Sequence, residues 1–125
     1  MKLLLDTHAL LWWLADDATL GERARAEIAD ERNPVFVSAA TIWEIRIKQA
    51  LGKLELPDDF KAVLASQPFL SLGISAEHAH AVADLPPVHR DSFDRMLIAQ
   101  AQVEDMTVVT RDKRFTSYAI ALLEA

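Results

Sequence analysis

Four acidic side chains stand so far apart in this chain that only folding could gather them: Asp6, Glu44, Asp94 and Asp112. Asp6 closes the apolar run Lys2-Leu3-Leu4-Leu5. Glu44 ends the segment Ser38-Ala39-Ala40-Thr41-Ile42-Trp43-Glu44. Asp94 sits in Asp91-Ser92-Phe93-Asp94-Arg95, just ahead of Met96-Leu97-Ile98-Ala99. Asp112 follows Val108-Val109-Thr110-Arg111. Carboxylates brought together repel one another, and a divalent cation relieves that repulsion. Hard oxygen donors select Mg²⁺ or Mn²⁺ rather than zinc. A cation held this way activates water near neutral pH and neutralises charge developing on a phosphoryl group.

Each acid also has a local explanation. Asp6 suits the cap of a helix starting at Thr7. Glu44 lies three residues after Thr41, the spacing of a capping box. Asp94 lies near a helix start, where negative charge suits the dipole. Asp112 suits the cap of a turn over Lys113-Arg114-Phe115. The joint pattern argues for more. Asp6 ends a strand expected to be central. Glu44 is flanked by Ile42, Trp43, Ile45 and Ile47, and Asp94 by Phe93, Met96, Leu97 and Ile98. Acids in such surroundings are seldom buried unless paired or bound to metal.

The elements that would position these acids alternate in type. Leu3 to Asp6 reads as a short strand, and Thr7 to Ala15 as a helix too apolar to be half exposed. Thr19 to Glu22 has capping-box spacing and opens a second helix through Ile28. After the Asn33-Pro34 turn, Val35-Phe36-Val37 reads as a buried strand. A helix over Ala39 to Leu51 ends at Gly52. Pro57-Asp58-Asp59 starts a helix with Phe60, Val63 and Leu64 on one face. Phe69 to Leu72 is a strand, and Ser75 caps a helix running to Leu85 before Pro86-Pro87 breaks the chain. Ser92 to Glu104 is a helix, Thr107 to Thr110 a strand, and Ala119 to Leu123 one more. Strands separated by helix-length segments predict a single α/β domain over residues 1–125, three layers deep (α/β/α), with a mainly parallel sheet. In such folds the site lies outside the carboxyl ends of the strands. Asp6 and Asp112 fall there, and Glu44 and Asp94 lie within the first two turns of helices.

Bulk properties agree with one globular domain. The chain has 125 residues, 51% hydrophobic and 26% charged, enough to bury most of its unfolded surface without disulfides. It has no cysteine, so thiolate metal ligands are excluded and a cytoplasmic setting is expected. No apolar run approaches the ~20 residues of a membrane helix. The net charge of −6 argues against a general nucleic-acid binder, but a carboxylate cluster inflates that count and is neutralised when loaded.

Four motifs together resemble those of PIN-domain proteins. They are Leu3-Leu4-Leu5-Asp6-Thr7-His8, Ser38 to Ile45, His89 to Ala101, and Val108-Val109-Thr110-Arg111-Asp112. They occur in the family's order and span nearly the whole chain. The pattern is most similar to VapC-type toxins of bacterial type II toxin–antitoxin systems. That resemblance implies an Mg²⁺- or Mn²⁺-dependent endoribonuclease that hydrolyses RNA through metal-activated water, leaving 5′-phosphate and 3′-hydroxyl ends. It also implies a cognate antitoxin and a homodimer. It marks Asp6, Glu44 and Asp94 as the main metal-site acids and Asp112 as a more variable fourth. Asp91 stands close enough to Asp94 to compete for its role, with Asp94 preferred because the apolar helical run follows it. Ser92 departs from the pattern, where close relatives often carry proline.

Other residues carry weaker signals. Arg46, Lys48, Arg90, Arg95, Arg111, Lys113 and Arg114 neighbour the acidic motifs and suit either phosphate contacts or a solvated surface. Ser38 and Thr110 suit either ligand orientation or local turns. His8, His78, His80 and His89 form no zinc signature and read as structural or surface residues, with His8 near the site by virtue of Asp6. Trp12, Trp13 and Trp43 suit base stacking, but their apolar surroundings favour core or interface. Two other functions compete. A receiver-like signalling module would share the acidic crevice, but it needs an acceptor aspartate after its middle strand, where Leu72-Gly73-Ile74-Ser75 offers none. A nucleotide-cofactor domain needs a phosphate loop, which Gly21, Gly52 and Gly73 do not form.

Overall fold

The computed structural model describes all residues from Met1 to Ala125. Five strands form one sheet: β1 (Leu3–Leu5), β2 (Val35–Ser38), β3 (Leu70–Leu72), β4 (Thr107–Thr110) and β5 (Ala121–Glu124). Their spatial order is β3-β2-β1-β4-β5, and every pairing is parallel. The sheet is thus wholly parallel, where the sequence predicts mainly parallel. Six helices accompany it: α1 (Thr7–Leu14), α2 (Glu22–Ala29), α3 (Ala39–Ala50), α4 (Phe60–Ala65), α5 (Ala76–Val82) and α6 (Ser92–Glu104). None is long and apolar enough to cross a membrane.

The alternation of side chains along a strand builds the three layers. Leu3 and Leu5 point to one face, where they join Leu10, Ala24, Ile28, Ile45 and Phe60. Leu4 points to the other face and joins Leu97, Ile98, Ala101 and Phe115. All three leucines of β1 are fully buried, because the central strand has a neighbour on both edges and a layer on both faces.

The strand order matters for the site. After β1 the chain moves outward through β2 to β3, then returns to place β4 on the other side of β1. The carboxyl ends of β1 and β4 therefore flank the switch point where a doubly wound sheet opens a crevice.

Several boundaries differ from the sequence reading for physical reasons. Thr19 does not cap α2. Its amide N–H donates to Asp17 Oδ1 at 2.8 Å, and Gly21 takes the cap position without a side-chain bond. Thr41 and Glu44 form no capping box, because Ser38 caps α3 by accepting from the Ala40 N–H at 3.0 Å. α5 stops at Val82 instead of Leu85. The amides of Ala83, Asp84 and Leu85 bond three residues back, to His80, Ala81 and Val82, a tightening imposed by the Pro86-Pro87 pair that follows. α4 starts at Phe60, after a turn in which the Phe60 N–H donates to the Pro57 carbonyl. β3 starts at Leu70, and β5 runs from Ala121 to Glu124. Ser75 caps α5 as expected, with a reciprocal bond from its own N–H to His78 Nδ1.

Candidate active site

The four acids do meet. Asp6, Glu44, Asp94 and Asp112 line one crevice of about 150 Å³, with Thr7, His8, Trp12, Lys48, Asp91, Arg111 and Arg114. Asp6 immediately follows β1, and its own N–H donates to the Val109 carbonyl at 3.1 Å. Its carboxylate also caps α1, accepting from the Ala9 N–H at 2.8 Å. Asp6 is therefore a helix cap that also lines the crevice. Burial raises the Asp6 pKa, against the pull of the Thr110 hydroxyl and the Ala9 N–H, which favour the charged form.

Glu44 lies in the second turn of α3 and is buried. Its carboxylate accepts from the Thr7 hydroxyl and pairs with Lys48 Nζ at 3.2 Å, one turn along the helix. Asp112 follows β4 and caps the 3₁₀ turn at Lys113–Ser117. Arg114 grips it with two parallel bonds of 3.0 and 2.8 Å, and these hold its carboxyl below the usual range.

Asp94 and Asp91 divide the first turn of α6. Asp91 Oδ1 caps the helix by accepting from the Asp94 N–H at 2.9 Å. Asp94 is left free to turn inward. Desolvation, together with the charge of Asp91, pushes its pKa up to about 6. Ser92 takes the first helical position, where proline is tolerated for its missing N–H.

His89, read from sequence as a structural or surface residue, stands beside this group. It is buried, with Nε2 2.7 Å from Asp94 Oδ2 and 3.6 Å from Asp112 Oδ2. His89, Asp94 and Asp112 can each offer one ligand atom within 4.8 Å of the others. The one sequence cue to it is its place two residues before Asp91.

The remaining singled-out residues separate cleanly. Lys48, Arg111 and Arg114 line the crevice. Arg111 stacks over the Trp12 ring at 4.8 Å and bonds the Ala125 carbonyl oxygen through Nε at 2.9 Å. Arg46 sits over Phe60 and bonds Gln49, away from the acids. Arg95 serves the loop ahead of α6, donating to the carbonyls of Pro86 and His89 at 2.9 and 3.3 Å. Ser38 bonds Gln100 at 2.6 Å beneath the site. Thr110 accepts from the Asp112 N–H at 3.0 Å. His8 lines the crevice, and His78 is buried against Glu104. Trp13 packs on Phe69, whereas Trp43 is 60% exposed and leans edge-on against Phe93.

Tyr118 pins the same loop from the far side. Its hydroxyl accepts from the His89 N–H at 2.8 Å and donates to the Pro86 carbonyl at 3.0 Å. Tyr118→Phe is expected to cost about 1–2 kcal/mol, since it leaves a buried N–H unpaired. Urea denaturation measures this, and an unchanged midpoint would show that the loop holds without it.

The family model of the PIN domain matches residues 3–121. The chain belongs to the PIN domain family. Solved structures share this PIN fold at low identity. VapBC2 from Rickettsia felis, bound to a DNA fragment from its promoter, has a chain that superposes with a TM-score of 0.75 at 16% identity, over 98% of each chain. FitAcB from Neisseria gonorrhoeae superposes at 0.66 and 24% identity, over 98% of this chain and 96% of that one. A toxin–antitoxin complex from Klebsiella pneumoniae superposes at 0.63 and 19% identity, over 97% and 95%. Among curated proteins none matches significantly.

Proposed function

We propose that this PIN domain is an Mg²⁺- or Mn²⁺-dependent endoribonuclease, the toxin of a type II toxin–antitoxin pair. The observation that carries this reading is the convergence of Asp6, Glu44, Asp94 and Asp112, from four separate segments, on one crevice at the sheet's switch point. The donor chemistry fits a hard cation. The acids supply only carboxylate oxygens, and burial makes two of them costly to leave charged and unneutralised. A divalent cation held there supplies activated water and neutralises charge at the scissile phosphate.

The chain's own residues account for the rest. Asp6, Glu44, Asp94 and Asp112 are the metal-site acids. Glu44 pairs with Lys48 and is oriented by the Thr7 hydroxyl. Lys48, Arg111 and Arg114 ring the crevice with positive charge, so a local cationic rim meets phosphates although the net charge is −6. Hydrolysis adds water across one phosphodiester linkage and leaves 5′-phosphate and 3′-hydroxyl ends.

An antitoxin and a homodimer need apolar surface, and two faces offer it. Leu11 and Leu14 line a groove with Leu54, Leu56 and Phe60, which supports the Leu10–Leu14 segment as a contact. Trp43, Ile74, Phe93 and Met96 line another hollow, on the α3, α5 and α6 side. The neighbouring toxin–antitoxin folds support the same reading.

The test is cleavage by purified chain, freed of any partner, on structured and single-stranded RNA. Cleavage is expected with Mg²⁺ or Mn²⁺ and is expected to stop on chelation. Cleavage that persists in excess chelator sinks the metal assignment.

A further inference from the structure

The His89 ring does not line the crevice. It lies behind the wall, where its Nε2 is sealed from solvent. Everything else about the ring is fixed. The Asp91 N–H donates to Nδ1 at 3.3 Å. The Phe115 ring packs edge-on at 5.9 Å. The backbone is held on both sides, its N–H by Tyr118 and its carbonyl by Arg95. Only Nε2 is left, and it is aimed at two carboxylates. It stands 2.7 Å from Asp94 Oδ2 yet off the line of a good hydrogen bond, and 3.6 Å from Asp112 Oδ2.

The Nδ1 contact decides which role this nitrogen plays. A nitrogen that accepts an N–H carries no proton, so the proton of the neutral ring sits on Nε2. A protonated nitrogen donates and cannot bind a metal. Binding metal through Nε2 would move the proton to Nδ1, against the Asp91 N–H, and would leave two donors facing each other in a buried space.

We propose that His89 is a positioning residue whose Nε2–H faces Asp94 Oδ2 from behind, with Asp112 Oδ2 farther off, holding that side of Asp94 and leaving its other oxygen for the crevice, while Arg114 holds both oxygens of Asp112. It is a partner of the ligands and not itself a ligand. Outer hydrogen bonds of this kind orient ligating groups, and their loss typically costs about 10–100-fold in metal affinity. The sealed position of Nε2 fits this role better than direct coordination, because a cation in the crevice would have the carboxylates between itself and the ring. The inference rests on the metal-site reading given under Proposed function.

Two measurements on the full-length chain test it. The first is long-range ¹H–¹⁵N NMR of the imidazoles, with and without Mg²⁺. His89 is expected to show a protonated Nε2 and a bare Nδ1 in both states. Loss of the Nε2 proton on adding Mg²⁺ would make it a ligand and overturn the proposal. The second is Mg²⁺ and Mn²⁺ affinity by calorimetry for wild type, His89→Phe and His89→Gln. Phenylalanine keeps the packing on Phe115 without the N–H, and it is expected to weaken binding about 10–100-fold. Glutamine retains a donor and is expected to recover much of that loss. Equal affinity in all three proteins would also overturn it. Should the phenylalanine variant fail to fold, the wild-type NMR result decides alone. A wild type that binds neither cation refutes the metal-site reading itself, and the inference falls with it.

Discussion

Asp6→Asn is expected to leave the fold intact and to abolish metal-dependent cleavage, with a loss on the order of 10³-fold. The size follows from the several kcal/mol that a catalytic cation supplies, at about 1.4 kcal/mol per factor of ten. Stability is expected to hold because asparagine caps a helix about as well as aspartate. Its side-chain oxygen can still accept from the Ala9 N–H. It also removes a carboxylate whose burial raises its pKa. Asp6→Ala separates the two duties of this residue. It loses cleavage to the same extent and also loses the cap, at about 1 kcal/mol. Cleavage assays paired with urea denaturation of chelated protein distinguish the outcomes. An Asp6→Asn protein that cleaves like wild type would remove Asp6 from the site and leave it a cap alone.

The second large effect is a pH-dependent exchange of stability for activity at Asp94. An acid with a pKa of about 6 in the fold, against an ordinary 3.8, binds more protons folded than unfolded between those values. Stability therefore falls as pH rises through that window, and above pH 6 the full penalty is present. The shift corresponds to at most about 3 kcal/mol, which partial solvent access reduces to roughly 1–2 kcal/mol. Asp94→Asn removes the penalty. With metal chelated, the variant is expected to be more stable than wild type at pH 7.5, and the difference is expected to vanish toward pH 4. Comparing the two proteins cancels acids of the opposite sign, such as Asp112, whose pKa is lowered by Arg114. The variant is expected to lose cleavage as Asp6→Asn does. Mg²⁺ is expected to stabilise the wild type more than the variant. A difference that stays flat with pH would show that Asp94 carries no burial penalty.

Much of this was legible in sequence, and the exceptions share a cause. β4 and α6 have the bounds their patterns predict, because a run of valines and an apolar helical face are local signals. The convergence of the four acids was legible through topology: once strands alternate with helices, strand ends share one edge of the sheet. What escaped was settled by partners distant in the chain. His89 owes its place to Tyr118 and Phe115, and neither contact leaves a trace in the residues around it. Asp91 competed with Asp94 because both suit a helix start, with Asp94 preferred for the apolar run that follows it. The Asp91 cap now leaves Asp94 the inward position. Thr19 failed as a cap because α2 starts only after Gly21, and Thr41 because Ser38 starts α3 ahead of it and leaves Thr41 inside the helix.

α1 and α6 begin at Thr7 and Ser92, beside the crevice-lining Asp6 and Asp91. Their amino ends therefore bring partial positive charge, about half an elementary charge per helix, to the rim of the acidic group. This counter-charge is built into the backbone. It cannot titrate, dissociate or be stripped by a chelator. Lys48 and Arg114 add mobile charge of the same sign. On the proposed metal-site reading, loss of the cation is expected to leave this chain dormant but still folded, so that metal supply switches activity on without a round of refolding.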